Sequence, residues 1–148
     1  MKSMKILLKS LLIILFIPIK SFSLIEVDIT RGNLNPLPLA VSPLSIDEIS
    51  RKSFENLIKK KNIGEEISSI VENNLKTSGL FNPLNKDAFL QAPDIANLKP
   101  RFEDWNLIKA QALITGKVTN VDDKLRVEFR LWDILAGKEM MALAFTTV

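Results

Sequence analysis

The chain has 148 residues, 20 of them Lys or Arg against 17 Asp or Glu, giving a formal net charge of +3, and it contains neither histidine nor cysteine. Disulfide frameworks, thiolate metal sites, cysteine nucleophiles, lipidated-cysteine anchors, Ser-His-Asp triads and the usual zinc ligands are thereby excluded. The positive surplus sits in residues 1–23, which hold four lysines (Lys2, Lys5, Lys9, Lys20) and no acid; the rest carries 16 basic and 17 acidic residues, net −1, so nothing electrostatic calls for a nucleic-acid or anionic-lipid partner.

Lys2, Lys5 and Lys9 flank the apolar run 11–19, and Ser21 and Ser23 place small residues at the −3 and −1 positions before Leu24. This is the layout of a cleavable secretion signal. The run is under half the roughly twenty residues a bilayer-spanning helix needs, and Pro18 interrupts its end. Residues 1–23 are therefore expected to be removed between Ser23 and Leu24. Residues 24–148 then form one domain of about 125 residues, free in a compartment outside the cytoplasm and burying roughly two-thirds of its unfolded-chain surface.

Residues 25–30 alternate apolar and polar side chains, the pattern of a half-buried strand, and Gly32, Asn33 and Asn35 mark a turn. Residues 37–41 read as a second strand; Pro36 and Pro38 remove two ladder donors, which predicts an edge position. Between 45 and 61, Ile46, Ile49, Phe54 and Leu57 fall near helical spacing, predicting a surface helix that ends in the basic run Lys59-Lys60-Lys61. Beside Glu55 and Glu65, those lysines read as a solvated face rather than a membrane contact. The next helix has Asn62 as its cap, Glu65 at the third position, an apolar stripe of Ile63, Ile67, Ile70, Val71 and Leu75, and Gly79 as its left-handed terminator.

Leu80 and Phe81 start a short extended segment stopped by Pro83, residues 87–90 suggest one helical turn, and 91–101, with Pro93 and Pro100, a loop. Phe102, Trp105 and Ile108 have the spacing of a short helix laid on a sheet. The remainder reads as a meander of strands at 112–121, 124–133 and 139–148, turning at Asp122-Asp123 and Ala136-Gly137. In the middle strand Leu125, Val127, Phe129 and Leu131 point one way, while Lys124, Arg126, Glu128 and Arg130 point the other. The expected fold class is α/β (α+β), a mixed β-sheet with helices packed on one face.

Catalysis could rest on carboxylates, lysines and hydroxyls alone. The pairs Glu65-Glu66, Glu103-Asp104 and Asp122-Asp123 are the ones a glycosidase mechanism could use, but adjacent residues diverge and each pair sits where local structure favours acids. No glycine-rich loop precedes a helix, so neither a cofactor nor a small-molecule substrate is expected. Of the two tryptophans, Trp105 reads as core. Trp132 falls on the polar side of its strand, where a large ring needs a partner or a covering segment, which makes it a candidate interface residue.

Five segments in order, 29–41 (ITRGNLNPLPLAV), 74–81 (NLKTSGLF), 102–105 (FEDW), 112–116 (ALITG) and 127–133 (VEFRLWD), resemble the N-terminal domain of the TolB family. The resemblance covers nearly all of residues 24–148. It implies a non-enzymatic periplasmic scaffold of the Tol-Pal system, with TolA and the lipoprotein Pal as partners. Such a scaffold supports outer-membrane integrity and invagination at cell division and, in some species, colicin import. The TolA-binding segment it implies begins at the mature N-terminus: Leu24, Ile25, Glu26, Val27, Asp28, Ile29, Thr30 and Arg31. It also implies that the charged stretch 45–61 is longer than usual. The chain is then expected to stop before a closing helix and a β-propeller that carries most of the Pal surface, leaving Phe145 exposed. The rival reading is a generic periplasmic adaptor domain with other partners.

Overall fold

The computed structural model describes residues 35–59 and 62–147. The signal segment with its Ser23/Leu24 cleavage point, the strand at 25–30, the turn at Gly32 and Asn33, and Lys60 and Lys61 lie outside the described residues. The elements are β1 (Leu37–Val41), β2 (Ser45–Ile46), α1 (Glu48–Ile58), α2 (Ile63–Thr77), β3 (Phe81–Pro83), a 3-10 turn (Lys86–Ala88), α3 (Pro93–Leu98), α4 (Phe102–Leu107), β4 (Ala112–Val121), β5 (Lys124–Asp133) and β6 (Lys138–Thr146). They build the expected mixed sheet, in the order β3-β1-β4-β5-β6, with the two-residue β2 also pairing to β4. β1 is parallel to β3 and β4, β2 is parallel to β4, and β4 to β6 form the antiparallel meander.

β1 is an interior strand, not the edge that its prolines predicted. Leu37 N–H donates toward β3, to the Leu80 carbonyl at 2.9 Å. Strand alternation therefore turns the missing Pro38 donor toward β4, whose register with β1 begins only at Leu39↔Ala112. The donor is lost before that ladder starts, and the Pro38 carbonyl still accepts from Gln111 N–H at 2.9 Å.

Alternation sorts the sheet's side chains into two faces. Leu39, Val41, Ala112, Ile114, Gly116, Val118, Val127, Phe129 and Leu131 share one, because paired residues point the same way. Helix α2 covers the β3-β1-β4 part of this face with Ile63, Ile67, Val71 and Leu75, and Phe54 of α1 is buried against Leu44 and Val118. α1 is thus partly a core helix, not the surface helix its charge suggested. Ile70 departs from the expected stripe and is 60% exposed. The opposite face carries a smaller cluster, Ala40, Leu113 and Trp132, under Trp105 of α4.

Local chemistry explains the helix ends. The Asp47 carboxylate caps α1 by accepting from Ser50 N–H (2.8 Å) and Ser50 Oγ (2.7 Å), bonds that hold its pKa below the usual carboxylate value. Ser50 Oγ also accepts from Asn120 N–H at 2.9 Å, tying α1 to the end of β4. Asn62 occupies the cap position of α2, but it uses its backbone carbonyl, which accepts from Glu65 and Glu66 N–H, and its side chain makes no cap bond. Gly79 ends the helix at φ +74°, as its sequence position indicates. Residues 93–98, expected to be loop, form α3 because Pro93 stands at the first helical positions, where its missing N–H costs nothing.

Gly64 is buried in the first turn of α2, and a Cβ there would stand 2.2 Å from the Leu44 carbonyl oxygen, whose residue donates N–H to the Gly64 carbonyl at 3.3 Å. A side chain would have to push α2 off the sheet. Gly64→Ala is expected to lower unfolding stability by about 1–3 kcal/mol in urea titration, despite the better helix propensity of alanine.

Candidate interaction surfaces

Trp132 is buried in the structure instead of being presented on the surface. It is 6% exposed, its Nε1–H donates to Thr115 Oγ1 at 2.9 Å, and the Phe102 ring meets it edge-on at 6.0 Å between centroids. The covering segment it needed is α4 with the chain leading into it. Trp105 is buried as read; its Nε1–H donates to Gln91 Oε1 at 2.7 Å and Phe89 packs edge-on to it at 5.0 Å. Gln91 Oε1 also accepts Arg101 N–H, which anchors α4 at its start.

The carboxylate pairs have local duties. Glu65 and Glu66 lie in the first turn of α2, where the helix dipole favours them. Asp104 accepts from Arg101 Nε at 2.8 Å across the first turn of α4. Asp122 and Asp123 both have positive φ, +52° and +60°, in a two-residue hairpin turn, and Asp123 N–H donates to Asn120 Oδ1. Among the described residues no group of three or more acidic, His or Cys side chains is placed to hold a metal ion, and no helix is long and apolar enough to cross a membrane. The segment Leu24 to Arg31 lies outside the described residues.

What the structure presents instead is an end of the sheet that none of the described residues covers. β6 is the last strand, and Met141, Leu143 and Phe145 continue the apolar face across it through their pairings with Leu131, Phe129 and Val127. They are 51%, 48% and 58% exposed. Between them and α2 runs an apolar cleft of about 240 Å³ lined by Val71, Ile114, Phe129, Leu131, Met141 and Leu143. Phe145 is therefore exposed as expected; the other two were legible in the alternation of residues 141–145 but passed as ordinary strand residues.

The reverse side of the same strands is polar. Lys117, Arg126, Glu128 and Arg130 share it, and Glu128 accepts from Arg126 Nε at 2.9 Å with Lys117 Nζ at 3.4 Å. The Arg126 hydrogen bond, and after it the charge of Lys117, hold the Glu128 carboxyl below its usual pKa. Arg130 Nη1 reaches Glu139 Oε2 on β6 at 3.2 Å.

Substituting the buried indole tests the corrected reading. Trp132→Ala is expected to cost about 3–5 kcal/mol of unfolding stability, read from the urea midpoint. A surface tryptophan would leave that midpoint almost unmoved.

Comparison with known proteins matches residues 25–140 to the family described as the TolB amino-terminal domain. Over 137 residues, 93% of this chain, the sequence is 75% identical to the Tol-Pal system protein TolB of Pelagibacter ubique (strain HTCC1062), and the chain spans 31% of that relative's length. Among solved structures, the LpoB C-terminal domain from Escherichia coli superimposes with a TM-score of 0.55 at 10% identity, over 80% of this chain and 87% of that one. A lipoprotein from Neisseria meningitidis gives 0.53 at 17% identity, over 76% and 80%. At these identities the two structures show a shared fold alone.

Proposed function

The chain belongs to the TolB amino-terminal domain family, and on that premise we propose that it is a periplasmic, non-enzymatic scaffold of the Tol-Pal system whose N-terminal segment binds TolA. The observation that carries this reading is the 75% identity to a Tol-Pal system protein over 93% of the chain. In this reading residues 1–23 direct export and are cut off after Ser23, which frees Leu24 as the first residue. Leu24 to Arg31 then form the TolA-recognition strand, and Pal joins the same complex mainly through surfaces beyond this domain. The assembly supports outer-membrane integrity and its invagination at division, and in some species protein import.

Two physical features agree with the assignment. Residues 25–30 alternate apolar and polar side chains, so the segment can be captured as a strand on a partner's sheet edge, where backbone bonds give affinity and alternate side chains give selectivity. The three described core clusters are themselves assembled from residues between Leu37 and Ile134.

Deleting Leu24 to Arg31 from the exported protein is expected to weaken TolA binding at least a hundredfold in calorimetric titration while the thermal unfolding transition stays in place. Unchanged affinity would refute the assignment of this segment. Co-purification from an envelope extract separates the scaffold from a generic adaptor: recovery of TolA and Pal supports the first, and their absence beside other partners the second.

A further inference from the structure

We propose that α1 is a latch: it leaves the sheet and unwinds on its own while the sheet and α2 stay folded, and in doing so it uncovers an apolar seat made of Leu44, Val118 and Val127.

Two anchors hold α1 closed. Of its side chains from Glu48 to Asn56, Ser50 and Phe54 are the two that are buried, and they lie one turn apart on the same side of the helix. Phe54 completes the cluster of Leu44, Val118 and Val127. Ser50 Oγ donates to the Asp47 carboxylate at 2.7 Å and accepts from Asn120 N–H at 2.9 Å, so one hydroxyl closes the helix cap and fastens it to β4. Among the described residues this is the one hydrogen bond between α1 and the sheet, and the Glu48–Lys52 ion pair stays within the helix. Ile49 is exposed and adds nothing to the seat. Solvent already reaches under the first turn, where an open cleft of about 600 Å³ separates Glu48 and Arg51 from Asp94, Leu98 and Lys117.

The flanking structure makes opening a separate event. With 11 residues, α1 is shorter than the roughly 12–15 at which a helix in water is marginally stable, so once undocked it melts. At its C-terminal end Lys59 is held left-handed at φ +53°, a strain for a residue with a Cβ that unwinding relieves. Helix α2 has its own hold on the sheet: the Gly64 carbonyl accepts from Leu44 N–H, and Val71 and Leu75 pack on Leu39 and Val41. Releasing one ring and one hydroxyl is far easier than dismantling three clusters, which places α1 at the low-stability end of the domain.

Hydrogen exchange on the whole chain tests the latch. After correction for intrinsic rates, the amides of residues 52–56 are expected to exchange at least a hundred times faster than the β5 amides bonded to β4. Ser50→Ala weakens the closed state alone and should speed exchange in α1 tenfold or more. Thr115→Val takes the acceptor from Trp132, a contact present whether α1 is closed or open, so it should speed exchange in β5 and leave α1 unchanged. Because the chain has no cysteine, a single introduced thiol reports on the seat itself. Val118→Cys, fully buried beneath Phe54, should react with a disulfide reagent at least a hundred times faster than Val41→Cys, equally buried beneath α2. Equal exchange in α1 and β5, equal reactivity of the two thiols, faster exchange in α1 with Thr115→Val, or no response of α1 to Ser50→Ala overturns the proposal.

Discussion

Leu44 is held between two glycines, and the arrangement of the sheet's covered and uncovered halves follows from that contact. A Cβ on Gly64 would strike its carbonyl, and a Cβ on Gly116 would stand 2.8 Å from its Cδ2. The absence of both side chains lets the start of α2 sit down on β4, with Leu44 filling the gap over Gly116. From that fixed end α2 runs above β4, β1 and β3, placing Val71 and Leu75 over Leu39 and Val41. Its far flank bonds through Ser68, Ser69 and Glu72 to Lys86 in the 3-10 turn beyond β3. At 100° per residue, Ile70 lies on the flank opposite Ser68 and Glu72, at the margin of the apolar stripe, and it is exposed rather than part of the core.

The other face is organised by a change of rule within one strand. From Leu125 to Leu131, β5 keeps its apolar residues toward α2 and its charges on the reverse side. At Leu131/Trp132 the register with β6 shifts, a bulge that absorbs one residue of β6. Beyond it Trp132 still points to the nominally polar side, but that side has become interior, because α4 lies over it and Thr115 takes the indole proton. One strand thus serves a solvated charge row at one end and a buried aromatic cluster at the other. The same bulge separates Glu139, which reaches Arg130, from the uncharged stretch after it.

Patterns with a short range were legible in the sequence. The period-2 run of residues 124–131, the 3.6-period of α2 with the exception of Ile70, Gly79 and the turn at Asp122-Asp123 each express a local rule, and each stands in the structure as read. What failed depended on what lay across from a residue. Pro38 looked like an edge marker because the sequence does not say where the neighbouring ladder begins. Residues 93–98 looked like loop because two prolines mark ends as readily as interruptions. Trp132 looked exposed because a single strand cannot reveal that a helix twenty-seven positions earlier, carrying Trp105, will cover it. The candidate site was less legible than the fold: a row such as Met141, Leu143 and Phe145 reads as half-buried in any sheet, and only the strand order shows that nothing among the described residues lies over it.

The mixed pairing of the sheet also has a consequence in time. The β4-β5-β6 meander joins neighbours through tight turns, as in Val121↔Lys124, whereas β1 meets β4 across the whole helical middle of the chain, Leu39 pairing with Ala112. Closing so long a loop must be paid for in entropy before any contact rewards it. Loop-closure entropy therefore favours the C-terminal hairpins as the cheaper contacts to close and makes the parallel half, with Leu44 seated between its glycines, the more costly one. Until the parallel half is closed, an uncharged edge such as that of β6 offers unpaired backbone to a second copy of the chain.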